Sequence, residues 1–189
     1  MTTATVRACL LGIALLFSAM AHARVEVQAV QNKTLGQTLA VRVTEDIAPG
    51  DYQLLLEGLK KNPGKFASKV ALLDSIGGSL AEAIKMGRLL REAGFDAWVP
   101  SNGVCQGTCV YLLAAGRTRQ VRGYVGLHRP YFPNGDSSLA DAAGGSRYSP
   151  EAYFREMDIA PSLLEDMARI EPGRMHVLSA AELTRYRLD

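Results

Sequence analysis

Lys69-Val70-Ala71-Leu72-Leu73-Asp74 runs into Ser75-Ile76-Gly77-Gly78 and then Ser79-Leu80-Ala81-Glu82, and this order decides the fold class. Val70 to Leu73 is continuously apolar, as expected of a strand buried on both faces of a parallel sheet. Two glycines then permit a sharp turn, and Ser79 with Glu82 three residues on forms a capping-box pattern that opens a helix. Leu80, Ile84, Gly87 and Leu90 share the inward face of that helix, and Gly94 suits its C-terminal cap. Strand, turn and helix make one βα unit.

The unit repeats on both sides. Upstream, residues 24–36 are mixed and read as an extended arm, Thr38 to Thr44 alternates as a strand, and Asp51 to Lys61 is an amphipathic helix stopped by Asn62-Pro63-Gly64. Downstream come a strand at Phe95 to Val99, a loop at Pro100 to Val104, a helix from Gln106 to Ala115 ended by Gly116, and a strand at Tyr124 to His128. Strands alternating with helices at this pace predict an α/β fold, a mostly parallel sheet covered by helices. Pro133 to Ser149 is small, polar and aperiodic, a surface loop placed to border a cleft because it follows His128. Ser149-Pro150, the Ser162 to Glu165 box and the Ser179 to Glu182 box each start a short helix.

Composition narrows the function classes. The chain has 189 residues, 48% hydrophobic and 21% charged, with 21 Lys and Arg against 19 Asp and Glu, the profile of one globular domain. No block of like charge occurs, so nucleic-acid binding has no electrostatic footprint. Ala8 to Ala21 carries no charge and follows Arg7. It is shorter than the about 20 residues a spanning helix needs. Ala21-His22-Ala23 closes it as a small-x-small cleavage site, so residues 1–23 read as a secretory signal peptide. The expectation is an exported chain, periplasmic or secreted, with residues 24–189 as one domain and no membrane span after cleavage.

Export changes how the cysteines are read. Cys9 leaves with the signal, and Cys105 and Cys109 remain where disulfides persist. Within one regular helix their spacing suits a bridge poorly, but with Cys105 in the preceding loop a bridge is feasible, and it is preferred to two packed thiols. Metal binding is not expected. His128 and His176 are the only other soft ligands, and Cys-x3-Cys is not the usual zinc spacing. A thiol redox role for the cysteine pair has little support from that spacing.

Three places combine unusual backbone with polar atoms. Gly77-Gly78 sits between a buried strand and a helix start, where bare amides can approach an anion or simply make a tight turn. Cys105-Gln106-Gly107-Thr108-Cys109 begins a second helix at the kind of strand-to-helix turn where nucleophile elbows occur, but carries no Ser. His128 ends a strand in Leu127-His128-Arg129-Pro130 and is a candidate general base or a structural hydrogen-bonder.

The ordered set of Asp74 to Ser79, Cys105 to Cys109, Leu112-Leu113-Ala114-Ala115-Gly116 and Gly126 to Pro130 resembles the Clp protease proteolytic subunit. More closely, it is similar to exported Clp-protease-like proteins within the crotonase superfamily. Val177 to Leu183 resembles that family's closing strand and helix, so the resemblance covers Leu39 to Asp189. It implies a ClpP/crotonase-like spiral of ββα units, an oxyanion hole from the amides of Gly78 and Thr108, His128 as general base, and homo-oligomers.

It also implies two departures. The family's nucleophilic Ser falls on Gly107, and the acidic triad member falls on Met175. Without an Oγ no acyl-enzyme forms at position 107. Thr108, Cys109 and Ser75 are the neighbouring nucleophiles, and Glu171, Asp166 or the 133–149 loop the substitute acids. The expected function is a non-catalytic peptide- or protein-binding or assembly module. The alternative is a hydrolase using His128 with another nucleophile or a water. Crotonase relatives use acyl-CoA, which is not expected outside the cytoplasm, so no cofactor is assigned.

Overall fold

The computed structural model describes residues 25–129 and 149–189, so the expected signal peptide and residues 133–148 of the expected loop lie outside the described residues. Eight strands form one mixed sheet: β1 (Val25–Asn32), β2 (Gly36–Ile47), β3 (Ser68–Gly78), β4 (Asp96–Val99), β5 (Val104–Gln106), β6 (Arg119–Val121), β7 (Tyr124–Leu127) and β8 (His176–Val177). Among the described residues six helices accompany them: α1 (Asp51–Lys61), α2 (Leu80–Ala93), α3 (Cys109–Ala115), α4 (Pro150–Glu156), α5 (Ser162–Arg169) and α6 (Ala180–Tyr186). The fold is α/β, as the repeated units predict.

The sheet forks at β3. Val70 to Leu72 pair with Asp96 to Trp98 of β4, whereas Ser75 pairs with Cys105 of β5. One branch continues from β4 to β6, the other from β5 to β7 and β8. Pairing is parallel from β2 to β3 and along the branches as far as β6 and β7, while the outer pairs β1 with β2 and β7 with β8 are antiparallel. The residues expected as an arm are therefore a strand. Asn32 Oδ1 accepts from the amides of Thr34 and Leu35 at 2.9 Å and turns β1 back into β2.

One face of the sheet supplies the core. Val41, Val43, Ala71, Leu73, Cys105, Val125 and Leu127 are buried there with Ile84, Met86 and Leu90 of α2 and the whole of α3. Tyr153 of α4 reaches in and donates to the Tyr111 carbonyl at 2.7 Å. A β-carbon on Gly87 would stand 1.9 Å from the Tyr153 hydroxyl oxygen, so α2 needs glycine where α4 crosses it. Arg91 and Arg119 both donate to the Met157 carbonyl, satisfying the end of α4.

Three local expectations are corrected. The segment expected to be a helix from Gln106 begins at Cys109, because Val104 to Gln106 pair with Tyr124 to Gly126 and join the sheet. Ser79 caps α2 by accepting from the Glu82 amide, but Glu82 does not return the bond. Its carboxylate accepts from the amides of Gly50 and Tyr52 and caps α1 instead. Burial opposes the Glu82 charge, yet the Tyr52 amide and Lys85 outweigh it and hold the carboxyl below its ordinary range. Ser162 lies inside α5, whose N-cap is Pro161 with no side-chain cap, whereas Ser179 and Glu182 form the full reciprocal box.

Candidate functional site

Three neighbouring parallel strands, β3, β5 and β7, end on the same side of the sheet. Gly77 and Gly78 close β3, Gly107 follows β5 and His128 follows β7. The carboxyl ends of parallel strands are where α/β sheets place ligands. The topology thus joins the glycine turn, the cysteine segment and the histidine, which are far apart in sequence.

The two glycines expected as a turn are the last residues of β3, paired with Asp46 and Ile47 of β2, and both are glycine for steric reasons. A β-carbon on Gly77 would stand 2.7 Å from the Gln106 carbonyl and 2.8 Å from the Thr108 nitrogen, and one on Gly78 would stand 2.2 Å from the Ile47 carbonyl. Ser75, offered by sequence as a nucleophile, is fully buried. Its hydroxyl donates to the Glu45 carbonyl at 2.5 Å and accepts from the Gly77 amide at 3.2 Å. It shapes the turn.

Gly107 has a positive φ of +55° between β5 and α3, at the strand-to-helix position where nucleophile elbows occur. Its amide donates to the Gly126 carbonyl at 3.1 Å. The space over its α-carbon is taken: a β-carbon there would stand 2.3 Å from His128 Nε2. Next to it, the Thr108 hydroxyl accepts from the Gly78 amide at 2.7 Å. The expected oxyanion donor at Gly78 thus already has an oxygen, from the chain's own threonine.

His128 Nδ1 lies 2.9 Å from the Arg129 carbonyl. A carbonyl only accepts, so in the neutral ring the proton sits on Nδ1 and Nε2 presents its lone pair toward Gly107. The Arg129 carbonyl therefore orients the ring where a triad would use a carboxylate. It is a neutral group, and it supplies no charge to stabilise an imidazolium.

Met175 stands one step beyond the last pair of the β7 and β8 ladder, Leu127 with His176, which places it opposite His128. Its sulfur lies 2.6 Å from where a β-carbon on Gly126 would be. Two of the expected substitute acids, Asp166 and Glu171, have other partners, and the acids of the 133–149 loop lie outside the described residues. Asp166 accepts from Tyr186, Arg185 and Arg169, with the Tyr186 hydroxyl foremost in holding its carboxyl low, and Glu171 faces Arg174 at 3.7 Å. His176 contacts Glu182 at 2.7 Å.

Cys105 and Cys109 are bonded to each other. Among the described residues, no group of three His, Cys, Asp or Glu side chains is placed to hold a metal, and no helix is long and apolar enough to cross a membrane. Two surface hollows, of about 460 and 500 Å3, lie by Phe66 and Arg117 and by Met175 and Tyr186. Neither is lined by Gly78, Gly107, Thr108 or His128.

Two parts of the site were beyond sequence reading. The Arg129 carbonyl has no side-chain signature, and the contact of Thr108 with Gly78 spans 30 residues. No model of a known protein family matches the chain, and no curated protein matches it.

Proposed function

We propose that this chain is an exported domain of the Clp-protease and crotonase type whose serine-protease triad has decayed, and that it serves as a non-catalytic peptide- or protein-binding and assembly module. The observation that carries the reading is a site filled from within. The Thr108 hydroxyl occupies the Gly78 amide, and the His128 ring fills the space where a nucleophile's β-carbon would stand. The forked sheet, with its site at the ends of β3, β5 and β7, supports the ββα spiral.

A binding role also draws on exposed apolar residues of the sheet. Pairing puts Ile76, Gln106, Gly126 and Val177 in one row across β3, β5, β7 and β8. Ile76 is 59% exposed and Val177 51%, with Tyr124 and Met175 exposed beside them. Apolar groups grouped in this way beside a strand-end site suit an extended peptide or a second protein surface.

The second reading, a hydrolase using His128 with a nonstandard nucleophile or an activated water, is favoured by one feature: Nε2 of His128 is held as a lone-pair base by the Nδ1 bond to Arg129. A serine-directed fluorophosphonate, followed by intact-mass measurement of the full chain, tests the covalent version. The proposal expects an unchanged mass. An adduct on Thr108 or Ser75 that disappears in His128→Ala would overturn it.

A further inference from the structure

Cys105 is the middle residue of β5, and Cys109 is the first residue of α3. Their bond closes a small ring around Gln106, Gly107 and Thr108. Those three residues make the contacts that fill the site. Gln106 and Thr108 pack against Gly77, Gly107 lies under His128, and Thr108 places its hydroxyl on the Gly78 amide.

One end of the ring is held in the sheet. Cys105 is paired on one side with Ser75 of β3 and on the other with Val125 of β7, and both cysteines are fully buried. The other end, the first turn of α3, is tied to that fixed point by the sulfur bridge. Without the bridge, the backbone bonds on the turn among the described residues are those of the Gly107 amide to Gly126, the Val110 amide to Gly107 and the Tyr111 amide to Thr108. Gly107 gives it the freedom to pivot.

We propose that the Cys105–Cys109 disulfide is a lock on the site: it holds Thr108 against Gly78, and its two-electron reduction by an external dithiol, which leaves two cysteine thiols and the dithiol oxidised to its own disulfide, lets the threonine withdraw and frees the Gly78 amide for an acceptor on a ligand. This deepens the binding reading and rests on the site being filled from within. It does not depend on whether the chain hydrolyses anything, so hydrolysis would defeat the functional reading and leave the lock standing.

The test is amide hydrogen exchange at Gly78, followed by NMR on the full chain in four forms. These are the oxidised wild type, Thr108→Val with the bond intact, Cys105→Ala/Cys109→Ala, and wild type refolded in dithiothreitol. Thr108→Val reports an unplugged amide and is expected to exchange about tenfold faster than oxidised wild type, the counterpart of one ordinary hydrogen bond. Both forms lacking the disulfide are expected to match Thr108→Val at Gly78, while the Leu73 and Val125 amides keep their wild-type rates. Wild-type protection of Gly78 in the refolded, reduced chain would overturn the lock, and this sample decides if the alanine variant does not fold. Equal exchange in Thr108→Val and oxidised wild type would overturn it as well.

Discussion

His128 Nε2 lies 2.3 Å from the point that a β-carbon on Gly107 would occupy. The two residues are 21 positions apart in sequence and meet because β5 and β7 are parallel neighbours that end together. The contact excludes any larger residue at 107 unless the ring moves. It also aims Nε2 of His128 at a position that carries no hydroxyl or thiol to deprotonate.

Gly107→Ser tests that contact. The new side chain would meet the imidazole and would hold a left-handed φ, which costs a non-glycine residue about 1–3 kcal/mol. The expected outcome is a melting temperature lower by about 2–4 °C for each kcal/mol in a chain of this size. Adding His128→Ala is expected to recover part of the loss, because it removes the colliding ring. Equal losses with and without the ring would show that the two residues are not in contact.

Gly87 and Tyr153 form a second close approach, in the core. Gly87→Ala drives a β-carbon into the Tyr153 hydroxyl, while Tyr153→Phe removes that hydroxyl and the donor it gives the Tyr111 carbonyl. Each single change is expected to destabilise the chain, Tyr153→Phe by about 1–2 kcal/mol. In denaturant titrations the double variant should lose less than the sum of the two. Strict additivity would contradict the packing described.

Glu182 ties stability to acid pH. The Ser179 hydroxyl, then the Ser179 amide and His176, hold its carboxyl at about 2, below the ordinary 4.5. A depressed pKa in the folded state means that its contribution is fully present above the unfolded value and disappears as pH falls through the folded one. Glu182→Gln is therefore expected to melt below wild type at neutral pH, with the gap closing between about pH 5 and pH 2. A gap of constant size over that range would show that the carboxylate charge plays no part.

The parts of the fold that were legible in sequence are those set by local pattern. Val70 to Leu73 read as a buried strand, Ser79 and Gly94 marked the ends of α2, and His128 was placed at a strand end. The parts that were not legible depend on distant partners. Val104 to Gln106 is too short to show a period and is a strand because Val125 and Ser75 flank it. Glu82 looked like its own helix's cap and serves α1 instead, because the Gly50 cap has no side chain to offer. At the site, sequence brought forward Gly78, Gly107, Thr108 and His128. Only the folded chain could put the Thr108 hydroxyl on the Gly78 amide and the Arg129 carbonyl on His128.

The central claim, that the strand-end site has no catalytic function, is tested most directly by hydrolysis of a broad mixture of fluorogenic peptides and esters. The oxidised chain of residues 24–189 would be run beside His128→Ala. The account predicts no turnover above that of the variant. Turnover by wild type that is lost in His128→Ala would contradict it and identify a rebuilt active site around that histidine.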